Sequence, residues 1–400
     1  MKSSMNKCEQ NKEIEEEGPE DFPREPFDPG SIGISRRTFS IDNLVKRMQR
    51  DAIVLAPPYQ RREVWGIEKK SQLIESLLLR IPLPSFYMAE DDKGRYEVVD
   101  GQQRLSAIRD FFFSDGPAVK SADGKGFRLK GLEFLSSLEG HNYEELNNYF
   151  QQNIDEAQVD LIVIDNNTPE DVKFIIFSRI NRGGLALNDQ EVRHALYNGS
   201  STELLEALSN YSLFHDNFSS YFPATYMIDR EVILRSLSFI VRPYTAFDRE
   251  KRMTDFLAET MLIINAMPDF TSFRFLRKFT QDDIDTFLVK DIDSLRKRFK
   301  RGLKRSLDLF GKHTFRRSYG EQRRTTVNKS LFEVWIALLS SLSNNQFDDL
   351  LYNKDAFFKE YIKILNKDIF KRSIASDALS HTGIMFRYTS LKECLDAVTS

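Results

Sequence analysis

The chain has 400 residues and a formal net charge of −3, from 57 Lys and Arg against 60 Asp and Glu. The length favours two domains, and the near-neutral total excludes a protein that binds nucleic acid through its overall charge. The two cysteines, Cys8 and Cys394, supply neither a disulfide framework nor a cysteine zinc site, which is typical of a reducing cytosol. The chain starts without an apolar signal-peptide core and has no apolar run that could span a membrane, so we expect a soluble, cytoplasmic protein.

The charge is unevenly distributed along the chain. Residues 1–30 carry 4 basic and 9 acidic residues, and prolines follow the acidic run, so residues 1–38 are predicted to be a flexible acidic, proline-rich arm. Residues 290–329 carry 14 basic and 4 acidic residues, a local net charge of +10 (14 − 4). Local positive charge can bind a phosphate backbone whatever the total charge of the protein.

The first half of the chain alternates helical and extended patterns. Apolar residues at spacings of three and four predict helices, and short β-branched or aromatic runs bounded by turn residues predict strands. In chain order these elements are a helix at 41–50, a strand at 53–56, a helix at 68–80, a hairpin of 85–90 and 95–100, a helix at 101–113, a second hairpin-like segment at 121–131, a helix at 142–153, a strand at 158–165 and helices at 169–181 and 189–199. Together they predict an α+β domain over residues 39–200.

The strand signal fades after residue 201, and long amphipathic helices take its place. The clearest helical segments are 230–241, 255–267, 292–310, 329–342 and 355–365. We therefore expect an α-helical domain over residues 201–400, which makes the whole chain an α+β protein with a small mixed sheet in its first domain.

A short polar motif, DGQQR at 100–104, lies where the first hairpin is expected to pass into a helix. Such a junction presents unpaired backbone N–H groups and the positive end of a helix dipole, which suits a phosphate. Asp100 could bind a divalent cation or orient water, and the glycine lets the backbone approach a ligand. The amides and the guanidinium offer hydrogen-bond donors. The structural alternative is equally open on these residues alone: Asp100 only caps the helix, and the amides lie on the surface.

Two further polar segments could complete such a site. The loop PPYQRREVW at 57–65 could bring Arg61 to the same phosphate as Arg104, although consecutive arginines are more often a solvated surface. The segment 178–199 ends one predicted helix at a glycine pair and starts another at Asn188, which is expected to cap it. Its polar residues could face the same pocket, and a plain connection between two helices is the alternative.

The basic stretch at 296–324 has apolar residues at helical spacing, which leaves its cations on the opposite helix face. Such a face could follow a DNA backbone, because each neutralised phosphate releases counterions. The candidate DNA contacts are Arg298, Arg301, Lys304 and Arg305. A solvated helix face is the alternative.

Several common catalytic motifs are absent from the sequence. It contains no G-x-x-x-x-G-K-[ST], no H-E-x-x-H and no G-x-S-x-G, which excludes nucleotide chemistry of the Walker type and two hydrolase classes. The five histidines are scattered, so a His-Asn-His metal nuclease is not expected.

Three of these segments, taken in order, resemble the N-terminal domain family of GmrSD-type restriction endonucleases, a DGQQR-bearing branch of the ParB/sulfiredoxin-like superfamily. The matching segments are PPYQRREVW at 57–65, VVDGQQRLSAI at 98–108 and FSRINRGGLALNDQEVRHAL at 177–196. The later MIDREVILRSLSFIV at 227–241 is similar to the helical extension of the family. The resemblance covers residues from about 40 to 260.

The resemblance implies a ParB/sulfiredoxin-like first domain that binds and hydrolyses a nucleoside triphosphate, GTP or ATP, with Mg²⁺, in a bacterial restriction-type defence against phage DNA. The implied catalytic residues are Asp100, Arg104 and Arg61, with Asp100 also the metal ligand. The implied nucleotide-binding residues are Gln60, Gly101, Gln102, Gln103, Arg182, Glu191 and Arg193. In two-part members of the family an appended His-Asn-His domain cuts the DNA. The second half of this chain has no such histidine cluster, so we expect a stand-alone subunit that acts with DNA and with a partner nuclease or methyltransferase.

Three functions follow as hypotheses. The first is a nucleoside triphosphatase that acts on or senses DNA. The second is a ParB-like enzyme that nicks DNA with the same pocket. The third is a non-catalytic sensor that binds nucleotide or DNA and controls a partner nuclease.

Overall fold

The computed structural model describes residue 17 and residues 33–55, 65–91, 93–113, 126–180 and 188–399. The chain forms two units, which we call the sheet unit (Glu25–Asn198) and the helical unit (Met1–Arg24 with Gly199–Ser400). The division after Asn198 lies beside the domain boundary predicted at residue 200. Of the arm predicted over residues 1–38, the structure describes only Glu17 and residues 33–38.

The sheet unit contains a five-stranded mixed sheet, which confirms the predicted α+β class. Its strands are β1 (Ile34–Ser40), β2 (Ile53–Val54), β3 (Phe86–Glu90), β4 (Tyr96–Asp100) and β5 (Gln158–Ile164). Their order across the sheet is β1-β5-β3-β4-β2. The pairs β1–β5 and β3–β4 are antiparallel, whereas β3–β5 and β2–β4 are parallel. The predicted hairpin is therefore the β3–β4 pair, and it occupies the middle of the sheet with β5.

Six helices accompany the sheet: α1 (Ile41–Gln49), α2 (Ile67–Leu78), α3 (Gln102–Phe112), α4 (Asn148–Asp155), α5 (Glu170–Ile180) and α6 (Asp189–Leu196). Side-chain caps begin two of them, and the cap predicted at Asn188 is confirmed. The Ser40 side chain accepts from the Asn43 N–H before α1, and the Asn188 side chain accepts from the Glu191 N–H in α6. The core between helices and sheet is built from aliphatic and aromatic side chains such as Ile74. Because α3 packs on α2 and follows β4 directly, its first turn is held rigidly at the end of the strand.

Two predictions for this unit are corrected. The segment 34–38, predicted as part of the arm, belongs to β1, because Ile34–Ser40 pairs along its whole length with β5. The second hairpin predicted at 121–131 is not seen in its described part, 126–131. There the chain is held by side chains of α2 instead: the Lys130 N–H donates to the Ser71 hydroxyl at 2.9 Å.

The helical unit contains the predicted long helices and several shorter ones. They are α7 (Ser200–Ser209), α8 (Ser212–Phe218), α9 (Ile228–Val241), α10 (Met253–Ala266), α11 (Phe273–Leu276), α12 (Gln281–Thr286), α13 (Ile292–Phe310), α14 (Lys329–Ser341), α15 (Asn344–Tyr352), α16 (Lys354–Asn366), α17 (Asp368–Ser373) and α18 (His381–Asp396). Helix α14 packs against both α9 and α13, and Trp335 on α14 is buried. Of the helices described, none is long and apolar enough to cross a membrane.

Candidate functional site

The turn between β4 and α3 is made by Gly101, the second residue of the DGQQR motif. Its backbone is left-handed, with φ 98° and ψ 9°. A Cβ at this position would lie 2.4 Å from Cδ1 of Phe86 and 3.2 Å from Nη2 of Arg104. Both the positive φ and the close ring require glycine. The Gly101 carbonyl then accepts from the Leu105 N–H at 2.9 Å, which starts the helix immediately after the turn.

Arg104 reaches back across this turn to Asp100. Its Nη2 donates to Oδ2 of Asp100 at 3.0 Å and to the Ser85 carbonyl at 3.3 Å, and its Nη1 donates to the Pro84 carbonyl. The guanidinium carbon lies 4.5 Å from the centre of the Phe86 ring. Burial lowers the pKa of Arg104 from its ordinary value, and the neighbouring Asp100 carboxylate opposes that shift. The arginine is therefore clamped by carbonyls, a carboxylate and a ring.

The two members of this ion pair differ in exposure. The Asp100 side chain is 38% exposed, whereas the Arg104 side chain is 13% exposed. The N-cap position of α3 is Gly101, which has no side chain to cap the helix, and Asp100 lies one residue before it. Asp100 is not sealed in the core. The structure thus presents a carboxylate at the β4–α3 junction, with the arginine behind it.

The two glutamines of the motif lie in the first turn of α3. Oε1 of Gln103 accepts from the backbone N–H of Trp65 at 3.2 Å. Trp65 is the last residue of the PPYQRREVW segment, so this hydrogen bond ties the end of that segment to the motif. Gln102 is half-buried at the first position of the helix. The predicted site residues Gln60 and Arg61 lie outside the described residues.

Helix α6, which carries two more of the predicted nucleotide-binding residues, packs against β4. Oε2 of Glu191 accepts from the Asn188 N–H at 2.9 Å and completes a capping box. Arg193 is 2% exposed, and its Nε donates to Oε1 of Gln190 at 3.0 Å. Both residues thus have interactions that stabilise α6 itself, on a helix beside the strand that ends at Asp100. Arg182 lies outside the described residues.

The residues that hold Arg104 were missed by the sequence analysis. The carbonyls of Pro84 and Ser85 come from the segment between α2 and β3, and Phe86 is the first residue of β3. One signal was present: the proline-containing run at 81–84 has few N–H donors and leaves carbonyls available to an arginine. The pairing of those carbonyls with Arg104 depends on the β3–β4 register.

The donor set around Asp100 limits the kind of metal site it could form. Among the residues that the structure describes, no group of three or more His, Cys, Asp or Glu side chains could hold an ion. Mg²⁺ commonly binds through one or two carboxylates, water and substrate phosphates. A single exposed carboxylate therefore fits an ion that arrives with a nucleotide and does not fit a site built by protein alone.

The predicted DNA-binding residues lie on α13 in the helical unit and fall into two groups. Lys304 and Arg301 are exposed, and Arg301 also donates to the Ser340 carbonyl at 2.5 Å. Arg298 is half-buried, and burial together with Arg301 lowers its pKa. Lys304 and Arg301 are thus the members of the set that face solvent most openly.

Arg305, by contrast, is 5% exposed. Its Nη1 donates to the carbonyls of Leu339 and Leu342, at 2.9 and 2.7 Å, and its Nη2 donates to Oδ1 of Asn344 at 2.8 Å. These carbonyls belong to the last turn and the C-cap of α14, where a helix leaves acceptors without internal partners. We therefore assign Arg305 a structural role that joins α13 to the α14–α15 connection, in place of the predicted DNA contact.

Residues 41–198 match the family model described as GmrSD restriction endonuclease, N-terminal domain. The matched range runs from the start of α1 to just past α6 and includes the β4–α3 junction with its DGQQR motif. The chain matches no curated protein and no solved structure. The match indicates a restriction-type defence protein. Residues 41–198 belong to the GmrSD restriction endonuclease N-terminal domain family.

Proposed function

We propose that the sheet unit binds and hydrolyses a nucleoside triphosphate at the β4–α3 junction, as part of a restriction-type defence against foreign DNA in the cytoplasm. One observation supports this most strongly: the exposed Asp100 carboxylate is fixed by Arg104 beside the first turn of α3. The N–H groups of a first helical turn lack internal partners and bind phosphate oxygens well. The junction therefore combines N–H donors for the phosphate oxygens with a carboxylate that can orient the reacting water.

In this proposal water attacks the γ-phosphorus and the bond from that phosphorus to the oxygen bridging it to the β-phosphate breaks. A nucleoside diphosphate and inorganic phosphate leave, and the proton lost by the water is released to solvent. Asp100 orients the water and accepts its hydrogen bond. Mg²⁺, brought by the nucleotide and also held by Asp100, would neutralise charge on the phosphate oxygens. The left-handed Gly101 lets the chain turn sharply from β4 into α3, and the Gln102 and Gln103 amides contribute to nucleotide binding.

Arg104 has a different role in the proposal from the catalytic one that the resemblance implied. The Arg104 guanidinium donates hydrogen bonds to the Asp100 carboxylate and to two backbone carbonyls. In the proposal it therefore acts as a positioning residue that holds the Asp100 carboxylate. Stabilisation of charge on the transferring phosphate is assigned to Arg61, whose segment is tied to the motif through Trp65 and Gln103. Gln60, Arg182, Glu191 and Arg193 remain proposed nucleotide contacts.

Phosphate release from GTP, ATP, CTP and UTP, measured with Mg²⁺ in the presence and absence of DNA, tests this proposal and identifies the nucleotide. We expect turnover with GTP or ATP, and its loss in Asp100→Ala. If the wild-type protein releases no phosphate under any of these conditions, or if Asp100→Ala retains full activity, the proposal fails. Nicking of supercoiled plasmid that is lost in the same variant would favour the nickase instead.

A second candidate is a non-catalytic DNA sensor that controls a partner nuclease or methyltransferase. The solvent-facing Lys304 and Arg301 on α13 favour it. This function predicts salt-sensitive DNA binding without nucleotide turnover. Measuring binding and phosphate release on the same preparation separates the two candidates, since the sensor binds DNA and releases no phosphate.

A further inference from the structure

A group of buried charges lies at the centre of the helical unit. Arg235 on α9 and Arg387 on α18 both contact the carboxylate of Glu333 on α14. The Arg235 Nε–Glu333 Oε2 and Arg387 Nη2–Glu333 Oε1 distances are both 2.9 Å. Arg235 is 1% exposed and the other two are fully buried. One carboxylate between two guanidinium groups leaves a positive charge to be balanced, because buried charges are stable only when paired.

The balancing carboxylate comes from Glu17, far away in the sequence. Nη1 of Arg235 contacts Oε2 of Glu17 at 2.5 Å, and the Ser330 hydroxyl donates to Oε1 of Glu17 at 2.8 Å. Burial raises the pKa of Glu17, but Arg235 and Lys329 outweigh that effect and bring the pKa below its ordinary value. Each oxygen of the Glu17 carboxylate therefore has its own donor, and the group is charged where it lies.

The donors that receive Glu17 are held in place by other parts of the helical unit. Nε of Arg235 is fixed by Glu333, and Glu333 is fixed in turn by Arg387. Ser330 is fully buried in the first turn of α14, where helix N–H groups add to the positive field. None of these contacts involves Glu17. We therefore expect Arg235 and Ser330 to keep their positions, and the site to stay positively charged, when the Glu17 carboxylate is absent.

We propose that Arg235 and Ser330 form an oxyanion receptor in the helical unit, which Glu17 occupies in cis and which a small carboxylate or phosphate ion fills when Glu17 is removed. The shared ligand chemistry is two oxygens of one anion, one bound by a guanidinium and one by a hydroxyl. Through this receptor the helical unit holds Glu17, a residue from the beginning of the chain, by an ionic contact with Arg235. An oxyanion that enters the receptor competes with that contact.

Chemical rescue tests the receptor in the full-length protein. Glu17→Ala should unfold at a lower temperature than the wild type in sodium chloride. Sodium acetate or inorganic phosphate, added at the same ionic strength, should raise its unfolding temperature along a saturating curve, because a ligand that binds the folded state stabilises it. The matched control is Glu250→Ala, which removes an exposed acid from the same unit and should show no saturating response.

Ser330→Ala in the Glu17→Ala background identifies the site without changing its charge. Loss of one hydrogen bond to a charged group should weaken the apparent affinity for phosphate about tenfold. If Glu17→Ala does not fold in chloride, recovery of its helical circular dichroism on addition of phosphate gives the same information. The proposal is overturned if phosphate and acetate stabilise or refold Glu17→Ala no better than chloride, or if Ser330→Ala leaves the rescue unchanged. A response to phosphate and none to acetate would narrow the ligand class to phosphate.

Discussion

Arg104 donates a hydrogen bond to Asp100 at 3.0 Å across the turn that Gly101 makes between β4 and α3. The arginine is packed on Phe86, and the aspartate is the more exposed partner. The less exposed Arg104 guanidinium therefore holds the more exposed Asp100 carboxylate in place. Several expectations follow from this arrangement and from the contacts that support it.

Replacing Arg104 by lysine should lower the turnover number for phosphate release about tenfold and change KM little. A lysine keeps the charge, but it cannot reach Asp100 and both carbonyls at once, because it lacks the planar fork of an arginine. Steady-state kinetics on the preferred nucleotide measure the two constants separately. Arg80→Lys is the matched control, since the Arg80 guanidinium donates to Oδ1 of Asn153 in the same unit. A large rise in KM with an unchanged turnover number would instead make Arg104 a direct nucleotide contact.

Replacing Gly101 by alanine should destabilise the sheet unit by about 2–4 kcal/mol, because the new Cβ meets the Phe86 ring in a backbone conformation that alanine disfavours. Urea unfolding measures the difference in the free energy of unfolding. Gly66→Ala is the control: its φ is −63°, and a Cβ there would meet no atom within 4 Å. Equal stability of the two variants would contradict the geometry of the turn.

The Glu75 carboxylate should stabilise the sheet unit at neutral pH and lose that effect in acid. Burial raises the pKa of Glu75, but the backbone N–H groups of Glu133, Phe134 and Leu135 outweigh it and bring the pKa below its ordinary value. A carboxyl with a lowered pKa in the folded state contributes stability above its unfolded pKa, and that contribution falls as the pH drops through the folded value.

Glu75→Gln therefore should cost about 1–3 kcal/mol at pH 7, since an amide accepts these N–H groups less well than a carboxylate. The difference from the wild type should shrink as the pH falls below the ordinary carboxyl pKa, near 4.5. Unfolding in urea at a series of pH values provides the test. A difference that stays constant from pH 7 into the acid range would show that the charge of Glu75 contributes nothing.

Charge reversal at Lys304 should weaken DNA binding if α13 follows a phosphate backbone. Lys304→Glu removes a solvent-facing cation, so the slope of log affinity against log salt should fall by about one. Fluorescence anisotropy over a range of salt concentrations gives this slope. Lys392→Glu makes the same charge change at an exposed position of α18 and should leave the slope unaltered. Identical behaviour of the two variants would mean that the α13 face is merely solvated.

Strong local patterns predicted most elements of the fold. The segment 292–310 was predicted as a helix from its apolar spacing and is α13 with the same limits. Strand β1 was not predicted, because its residues are mostly exposed at the edge of the sheet and show no apolar alternation. It pairs with β5, which is distant in the sequence, and a local sequence pattern does not predict pairing between distant segments.

The sequence predicted that Asp100 and Arg104 lie at one strand–helix junction, but it did not predict which of the two side chains is the more exposed. The order of strand, glycine and helix placed Asp100 and Arg104 at one junction. Which of them faces solvent depends on Phe86 and on the carbonyls before β3, which the fold brings beside the motif. Arg305 shows the same limit: helical spacing predicted that it lies among surface cations, whereas it is buried and donates to carbonyls at the end of α14.

The most direct test of the nucleotide site compares Asp100→Asn with Asp160→Asn. Both aspartates belong to strands of the same sheet, pair with one arginine and are about one-third exposed, at 38% and 31%. If Asp100 orients the reacting water, its asparagine variant should release phosphate at least about 100-fold more slowly than the wild type. Asp160→Asn should retain the wild-type rate. Equal rates in the two variants would contradict the assignment of the β4–α3 junction as the site of hydrolysis.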